Sequence, residues 1–180
     1  MFWRELTAGH SSLGYYLGKV TSSFYRILVA SLHFAAALTV SASPTIDFGY
    51  IYLIVLIDIF GIYGVCAIVA QVVDRRNASL FAVVTCLFLG LTSGFGLNQA
   101  KATSAGFGWL FYLSFFWWSG SILFERGVDP FSNVYQIQTA ASYWGFNLNI
   151  TRNGIYGILS GIGFRVVGYF ILKFVTRNLK

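Results

Sequence analysis

Long apolar runs separated by short polar turns dominate the order of residues in this chain. A helix needs about 20 mostly apolar residues to cross the hydrocarbon core of a bilayer. Four runs approach or exceed that length with few charged residues, and we interpret them as membrane spans: residues 24–42, 50–73, 80–97 and 155–175. The pattern therefore predicts an all-α membrane protein, a polytopic helical bundle.

Basic residues lie beside the ends of these spans in an alternating order. Lys and Arg collect on the cytoplasmic side of a membrane, and the loop 41–49 after the first span contains neither. We therefore expect four crossings with both termini cytoplasmic, in a multi-pass protein of the plasma membrane. The basic residues assigned to the cytoplasmic side are Arg4, Lys19, Arg75, Arg76, Lys173, Arg177 and Lys180.

A fifth apolar segment, residues 107–124, is interrupted by Ser114, Ser119, Gly120 and Ser121. If this segment were a fifth crossing, the basic C-terminal tail would lie outside. We therefore predict a re-entrant helical hairpin here, inside an outer loop that covers residues 98–154. Such backbone is tolerated at membrane depth only where protein covers it.

The composition supports a membrane protein and excludes several other classes. Hydrophobic residues make up 57% of the 180 residues and charged residues only 10%, against about 25% charged in an ordinary soluble domain. The net charge of +6 comes from scattered Lys and Arg, so we expect no nucleic-acid partner. Cys66 and Cys86 lie in apolar runs and are expected to be free packing residues. His10 and His33 lack a second ligand at metal spacing, so no metal site is predicted.

Two N-x-Ser/Thr sequons test the predicted topology. Asn77 begins one in a predicted cytoplasmic turn, and Asn149 begins the other in the predicted outer loop. Only Asn149 is therefore a candidate for glycosylation. The alternative is that neither sequon is used.

Asp58 and Arg165 are the charges predicted to lie deepest in the membrane. Each is placed roughly 12 to 15 Å from the outer boundary, at about 1.5 Å per residue along its helix. A charge at that depth usually pairs or faces a polar cavity. We expect an intramembrane salt bridge between them, and the alternative is that each faces a separate cavity.

Glycines recur at three- and four-residue steps in the last two predicted spans. Small residues let helix backbones approach closely in a membrane, where lipid gives no hydrophobic drive for association. We expect packing within the chain on these faces, with a dimer seam as the alternative. The candidate packing residues are Gly90, Gly94, Gly157, Gly161 and Gly168.

Three short motifs occur in order: one before the first span, one in the re-entrant segment and one before the last span. They are Phe2-Trp3-Arg4-Glu5 with Gly9, Tyr15-Tyr16-Leu17 and Lys19; Tyr112-Leu113-Ser114 with Trp117-Trp118; and Tyr143-Trp144-Gly145-Phe146. This series resembles the C-terminal part of the ABC-2 type transmembrane domain in the ABCG (white/scarlet-type) subfamily of ABC transporters. The four spans here would be the third to sixth of that family.

The resemblance implies that residues 1–23 form a cytoplasmic coupling segment that rests against an ATPase domain. The alternative reading of this segment is a solvated interfacial stretch whose basic side chains extend to water. The residues that carry the coupling assignment are Arg4, Glu5, Gly9, Tyr15, Tyr16 and Lys19.

The resemblance further implies an exporter of lipids or other apolar or amphipathic compounds, contacting membrane lipid and paired with a second half-transporter in a homo- or heterodimer. No Gly-x-x-x-x-Gly-Lys-Ser/Thr phosphate loop is present in the sequence, so this chain is not expected to be an enzyme. ATP and Mg would be bound by an ATPase domain upstream or in a separate chain. Trp117 and Ser121 replace the basic residue and the Glu that many relatives carry in the re-entrant motif.

Two other classes of protein compete with the transporter interpretation. One is a non-transporting helical interaction subunit, or a truncated product, that packs against other helices through its glycine faces. The other is a simple channel, which is disfavoured because no span shows the polar stripe of an aqueous pore. Co-purification of an ATPase with substrate-stimulated hydrolysis would separate the first alternative from a transporter.

Overall fold

The computed structural model describes residues 11–42, 44–74, 76–94, 96–134 and 136–178, with side chains as far as Phe174. This part of the chain is built from helices joined by turns, as predicted. A 3-10 turn, Asp129–Phe131, follows α6. The helices are α1 (Ser12–Ala42), α2 (Phe48–Val72), α3 (Ala78–Leu91), α4 (Gln99–Ser104), α5 (Trp109–Leu113), α6 (Phe115–Val128), α7 (Ile137–Trp144) and α8 (Ile150–Asn178).

Three of the described helices, α1, α2 and α8, are long and apolar enough to cross a membrane. They have 31, 25 and 29 residues, and even the shortest extends about 37 Å at 1.5 Å per residue. They contain the predicted first, second and last spans. Both α1 and α8 begin earlier than the apolar runs suggested, because polar residues at their starts continue the helix.

The predicted third span, 80–97, is not one continuous helix. Helix α3 has 14 residues and ends at Leu91, so its length is about 21 Å. The Thr92 hydroxyl donates to the Leu89 carbonyl at 2.6 Å, and Gly94 follows with φ +92°. Hydropathy overestimated this helix because it does not register that Thr, Ser and Gly in succession favour a turn.

The centre of the bundle is the contact between α2 and α8. A Cβ atom placed on Gly157 would lie 2.8 Å from Ile57, and one on Gly161 would lie 2.5 Å from the Phe60 ring. The two backbones therefore approach closely because glycine stands at these positions. Helix α1 packs on the other side of α2, where Ala35 joins a buried cluster with α2 residues.

Large apolar side chains cover much of the outer surface of the long helices. Val40 is 83% exposed, Val72 and Phe174 are each 66% exposed, and α3 has no buried residue. An apolar exterior of this extent is unfavourable in water and favourable against lipid tails. The surface therefore fits an integral membrane protein.

Glycine substitutions test the close approach of the helices. We expect Gly61→Ala and Gly161→Ala to lower the free energy of unfolding in detergent by about 1–3 kcal/mol, because the added methyl overlaps Phe115 or Phe60. Gly49→Ala and Gly163→Ala are matched controls on the same two helices, with open space at the Cβ position. The controls should be neutral or stabilising by up to about 1 kcal/mol. Equal effects in all four variants would contradict the packing.

Candidate functional site

Helices α5 and α6 form a bent pair that we call the helix wedge, residues 109–128. They meet at Ser114, whose backbone is extended (φ −82°, ψ 119°). The buried Ser114 hydroxyl donates to the Leu89 carbonyl near the end of α3, at 3.0 Å. The bend of the wedge is therefore fixed against the last turn of α3.

Helix α6 runs antiparallel to α2. Its first residue, Phe115, lies against Gly61 of α2. Closer to its other end, the Arg126 guanidinium donates to the Tyr50 hydroxyl at 2.9 Å and lies 4.2 Å from the centre of the Tyr50 ring. At about 1.5 Å per residue, the bend of the wedge is thus roughly 20 Å along α2 from Phe48.

Helix α6 is also antiparallel to α8. The Ser160 hydroxyl donates to the Leu113 carbonyl at 2.9 Å, beside the bend. Further along α6, the Trp118 ring stacks on the Tyr156 ring with centroids 4.9 Å apart. The wedge therefore lies between α2 and α8. Its bend at Ser114 is at mid-length of both helices, and its C-terminal end at Val128 is near their N-termini.

Protein buries the bend and the inner face of α6, whereas the outer face of α5 is largely exposed. Phe115 and Ile122 have no exposed side-chain surface, and Ser114 and Ser121 are equally buried. The Ser121 hydroxyl donates to the carbonyl of Trp117 at 2.9 Å within the same helix. The small polar residues that interrupt the apolar run thus have partners inside the protein, as buried polar groups require.

The segment before α8 packs on α6 of the wedge. Gly145 has φ +84° and ends α7, which turns Phe146 towards α6. The Phe146 ring stacks on Trp117 and on Phe124, each at a centroid distance of 4.9 Å. Residues of the second and third sequence motifs therefore meet in one aromatic cluster, and sequence reasoning alone did not link them.

The predicted salt bridge between Asp58 and Arg165 is not formed. Asp58 accepts a 2.6 Å hydrogen bond from the Ser119 hydroxyl of the wedge. Arg165 instead donates to the carbonyls of Phe60 and Gly161, at 2.7 and 3.1 Å. Residues 58 and 60 of α2 point about 200° apart around the helix, so the two charges contact different neighbours although their depths are similar.

The buried Arg165 has no ion pair among the described residues. Other contacts take the place of the expected acidic partner. Besides the two carbonyls, its guanidinium lies 3.6 Å from the centre of the Phe60 ring. A planar guanidinium can stack on an aromatic face while its edge donates hydrogen bonds. The charge is therefore stabilised by backbone dipoles and a ring.

The described part of the predicted coupling segment joins α8 through Tyr16. The Tyr16 hydroxyl donates to the Arg165 carbonyl at 2.6 Å, and the Tyr16 and Tyr169 rings are 5.7 Å apart. Tyr15 precedes it in α1, and the exposed Lys19 lies 5.7 Å from the centre of the Tyr15 ring. The remaining coupling candidates, Arg4, Glu5 and Gly9, lie outside the described residues, as do Arg75 and Lys180.

The other predicted site residues fall in varied surroundings. A Cβ atom on Gly168 would lie 3.0 Å from the Tyr16 hydroxyl, whereas one on Gly90 would meet nothing within 4 Å. Gly94 is in the turn after α3 rather than on a helix face, against Trp117 and Phe146. Asn149 is exposed, and its side-chain oxygen accepts from the Arg152 amide at 3.0 Å at the start of α8.

Glu125 marks the end of the wedge at a polar cavity of about 610 Å³, which Asp129 and Gln136 also line. Burial raises the pKa of the Glu125 carboxyl above its ordinary value, while the neighbouring Arg126 guanidinium acts in the opposite direction. Arg126 itself pairs with Asp129 at 3.4 Å. The C-terminal end of the wedge therefore carries a charged cluster, whereas the wedge residues at its bend are uncharged.

These features define a polytopic helical membrane domain with a bent helix pair, its bend buried, between two long helices. Residues 1–178 match the family model described as "ABC-2 type transporter", and the chain therefore belongs to the ABC-2 type transporter family. The ABC-type transporter claG of Penicillium crustosum is 28% identical over 141 residues, which cover 78% of this chain and 19% of that protein. The chain thus spans about a fifth of the length of this curated relative. No solved structure matches it.

The bond between the wedge and α2 is tested by Ser119→Ala. We expect this variant to lower the free energy of unfolding in detergent by about 1–3 kcal/mol, because a partly buried carboxyl loses its partner. Asp58→Asn keeps an acceptor oxygen without the charge and should cause no such loss. Ser22→Ala, an exposed hydroxyl bonded within its own helix, is the control. Equal stability of Ser119→Ala and Ser22→Ala would contradict the role of the bond.

The separate placement of the two charges is tested by a double-mutant cycle. We expect Arg165→Lys to cost about 1–2 kcal/mol, because an ammonium cannot stack on Phe60 and serve two carbonyls as a guanidinium does. Combined with Asp58→Asn, its effect should be additive within about 0.5 kcal/mol, since the two side chains share no partner. A coupling energy well above that would mean that the charges interact directly.

Proposed function

We propose that this chain is the membrane-spanning part of an ATP-driven exporter of the ABCG type. The observation that carries the proposal is the wedge, which brings a non-helical bend to mid-length of α2 and α8, with Ser114, Ser119 and Ser121 buried in protein. A helical scaffold that only faces lipid does not require a break in a helix or buried polar side chains at membrane depth. The order of the three motifs and the relative described as an ABC-type transporter support the same assignment.

In the proposed topology, α1, α2, α3 and α8 are four crossings and the wedge is a re-entrant hairpin on the outer side. Both termini are cytoplasmic, the membrane is the plasma membrane, and Asn149 is available for glycosylation. Helix α3 is short for a crossing. Its last turn meets the bend of the wedge through Ser114, so wedge and α3 together occupy the thickness that a longer helix would fill. A short helix is also accommodated by local thinning of the bilayer.

The proposed motor is an ABC ATPase domain, upstream in the same polypeptide or in a separate chain, which binds ATP and Mg. Its motion enters through the segment before α1. The hydrogen bond from Tyr16 to the Arg165 carbonyl then passes displacement of α1 to α8, which packs directly on the wedge. Alternating exposure of a cavity between two such membrane domains, identical or paralogous, completes the transport cycle.

The proposed substrates are lipids or other apolar and amphipathic compounds. The wall that the chain offers is apolar and aromatic, and the described spans carry few charges. A hydrophilic solute would lose its hydration along such a wall without gaining replacement hydrogen bonds.

The proposal is tested by purifying the tagged chain from its native membranes together with any ATPase, and measuring ATP hydrolysis in liposomes with and without candidate amphiphiles. We expect substrate-stimulated hydrolysis. Tyr16→Phe, which removes the hydrogen bond to the Arg165 carbonyl and keeps the ring, should reduce the stimulation several-fold while basal hydrolysis persists. Tyr25→Phe on the same helix, where the side chain is 73% exposed, should leave both unchanged.

If no ATPase accompanies the chain, or if hydrolysis does not respond to any amphiphile, the exporter assignment fails. A helical interaction subunit would then be the better description. If Tyr16→Phe and Tyr25→Phe behave alike, the exporter assignment stands and the proposed route from α1 to α8 is wrong.

A further inference from the structure

An apolar cavity of about 440 Å³ lies beside the end of α3, under α4 and α5. Its volume falls in the range of small-molecule sites, roughly 300–1,000 Å³. It exists because α3 stops at Leu91, so that the following turn and two short helices enclose the space unevenly. The side chains that define it are Phe88, Leu91, Leu97, Phe107, Leu110 and Phe111.

One buried side chain lines the cavity on its inner side, and its walls are formed by side chains that are largely exposed. Phe111 is buried, whereas Phe88, Leu91 and Phe107 each keep more than half of their surface exposed. These walls face a space that no described residue fills. An apolar ligand would therefore gain contact with several large side chains that the chain already holds in place.

The lining contains one cationic side chain, that of Lys101 in α4. The side chains of Asn98 and Thr92, the other polar lining residues, have partners in the protein: Asn98 donates to the Tyr143 carbonyl at 2.8 Å and Thr92 donates to Leu89 at 2.6 Å. The exposed Lys101 ammonium has no ion pair within the described residues. Residues 96–113 contain no Asp or Glu that would compensate its charge.

We propose that this cavity binds an anionic amphiphile, with an acyl or similar apolar chain against Phe88, Leu91 and Phe111 and a carboxylate or phosphate head on Lys101. Lys101 lines the cavity and is exposed, and a lysine can extend its apolar stem along a bound chain while its ammonium meets the head group. The inference deepens the proposed function by naming a ligand class and rests on it only for the position in a bilayer.

The test uses the purified chain in nanodiscs of zwitterionic phosphatidylcholine, with binding of oleate and methyl oleate measured by native mass spectrometry. We expect saturable binding of oleate and weaker binding of methyl oleate, which has the same chain without the charge. Lys101→Gln should weaken oleate binding about three- to tenfold and leave methyl oleate unchanged. Lys101→Arg should retain binding, and so should the control Arg152→Gln, an exposed cation outside the cavity.

A second variant keeps the test independent of the charge. Leu110→Trp replaces a lining residue by a larger one, narrows the cavity and should weaken binding of both probes. Competition with dioleoyl phosphatidic acid identifies the source of the ligand: displacement of oleate indicates a membrane lipid as the occupant, and no displacement indicates a free acid. Either result is compatible with the proposed chemistry.

Three results would overturn the proposal. They are equal binding of oleate and methyl oleate, oleate binding that Lys101→Gln does not weaken, and no saturable oleate binding to the unsubstituted chain. In the last case, a change of oligomeric state in Leu110→Trp would assign the cavity to a second copy instead. No ATP or ATPase enters these measurements, so failure here leaves the exporter assignment intact, and failure of stimulated hydrolysis leaves this site intact.

Discussion

Backbone polar groups that leave a helix inside a bilayer must find partners within the protein, since hydrocarbon supplies none. In this chain that requirement falls on the bend at Ser114. The Leu113 carbonyl accepts from Ser160 of α8, and Ser114 donates to the Leu89 carbonyl of α3. The bend is thus fixed by two different helices, and the positions of α3, α8 and the wedge depend on one another.

The close contact of α2 and α8 depends on small residues on α8. Glycines on α8 bring the two backbones near enough for the buried Arg165 to reach the Phe60 carbonyl. With larger residues at Gly157 or Gly161 the helices would move apart, and that charge would lose the Phe60 carbonyl as an acceptor. Small residues therefore serve two purposes here, because they allow packing and they also make a buried guanidinium tolerable.

Run length in the sequence was enough to predict the three long helices. The bent pair α5–α6 overlaps the segment 107–124 that we predict to be a re-entrant hairpin, and its re-entry stays a prediction. The contacts within the bundle required more than that. Equal depth suggested that Asp58 and Arg165 pair, but depth along a helix does not determine direction around it, and Ser119 faces Asp58 instead. The end of α3 was missed because mean hydropathy hardly changes at Thr92. The partners of Phe146 were invisible because they are distant in sequence.

In the proposed topology, the wedge enters and leaves on the same side of the membrane. Single cysteines at Ser104 and Ser132, exposed positions before and after the wedge, test it in a variant without Cys66 and Cys86, using a membrane-impermeant maleimide on intact cells. We predict labelling at both positions from outside, with Asn77→Cys unlabelled until the cells are opened. Labelling of Ser104→Cys and Ser132→Cys from opposite sides would show a fifth crossing and contradict the account.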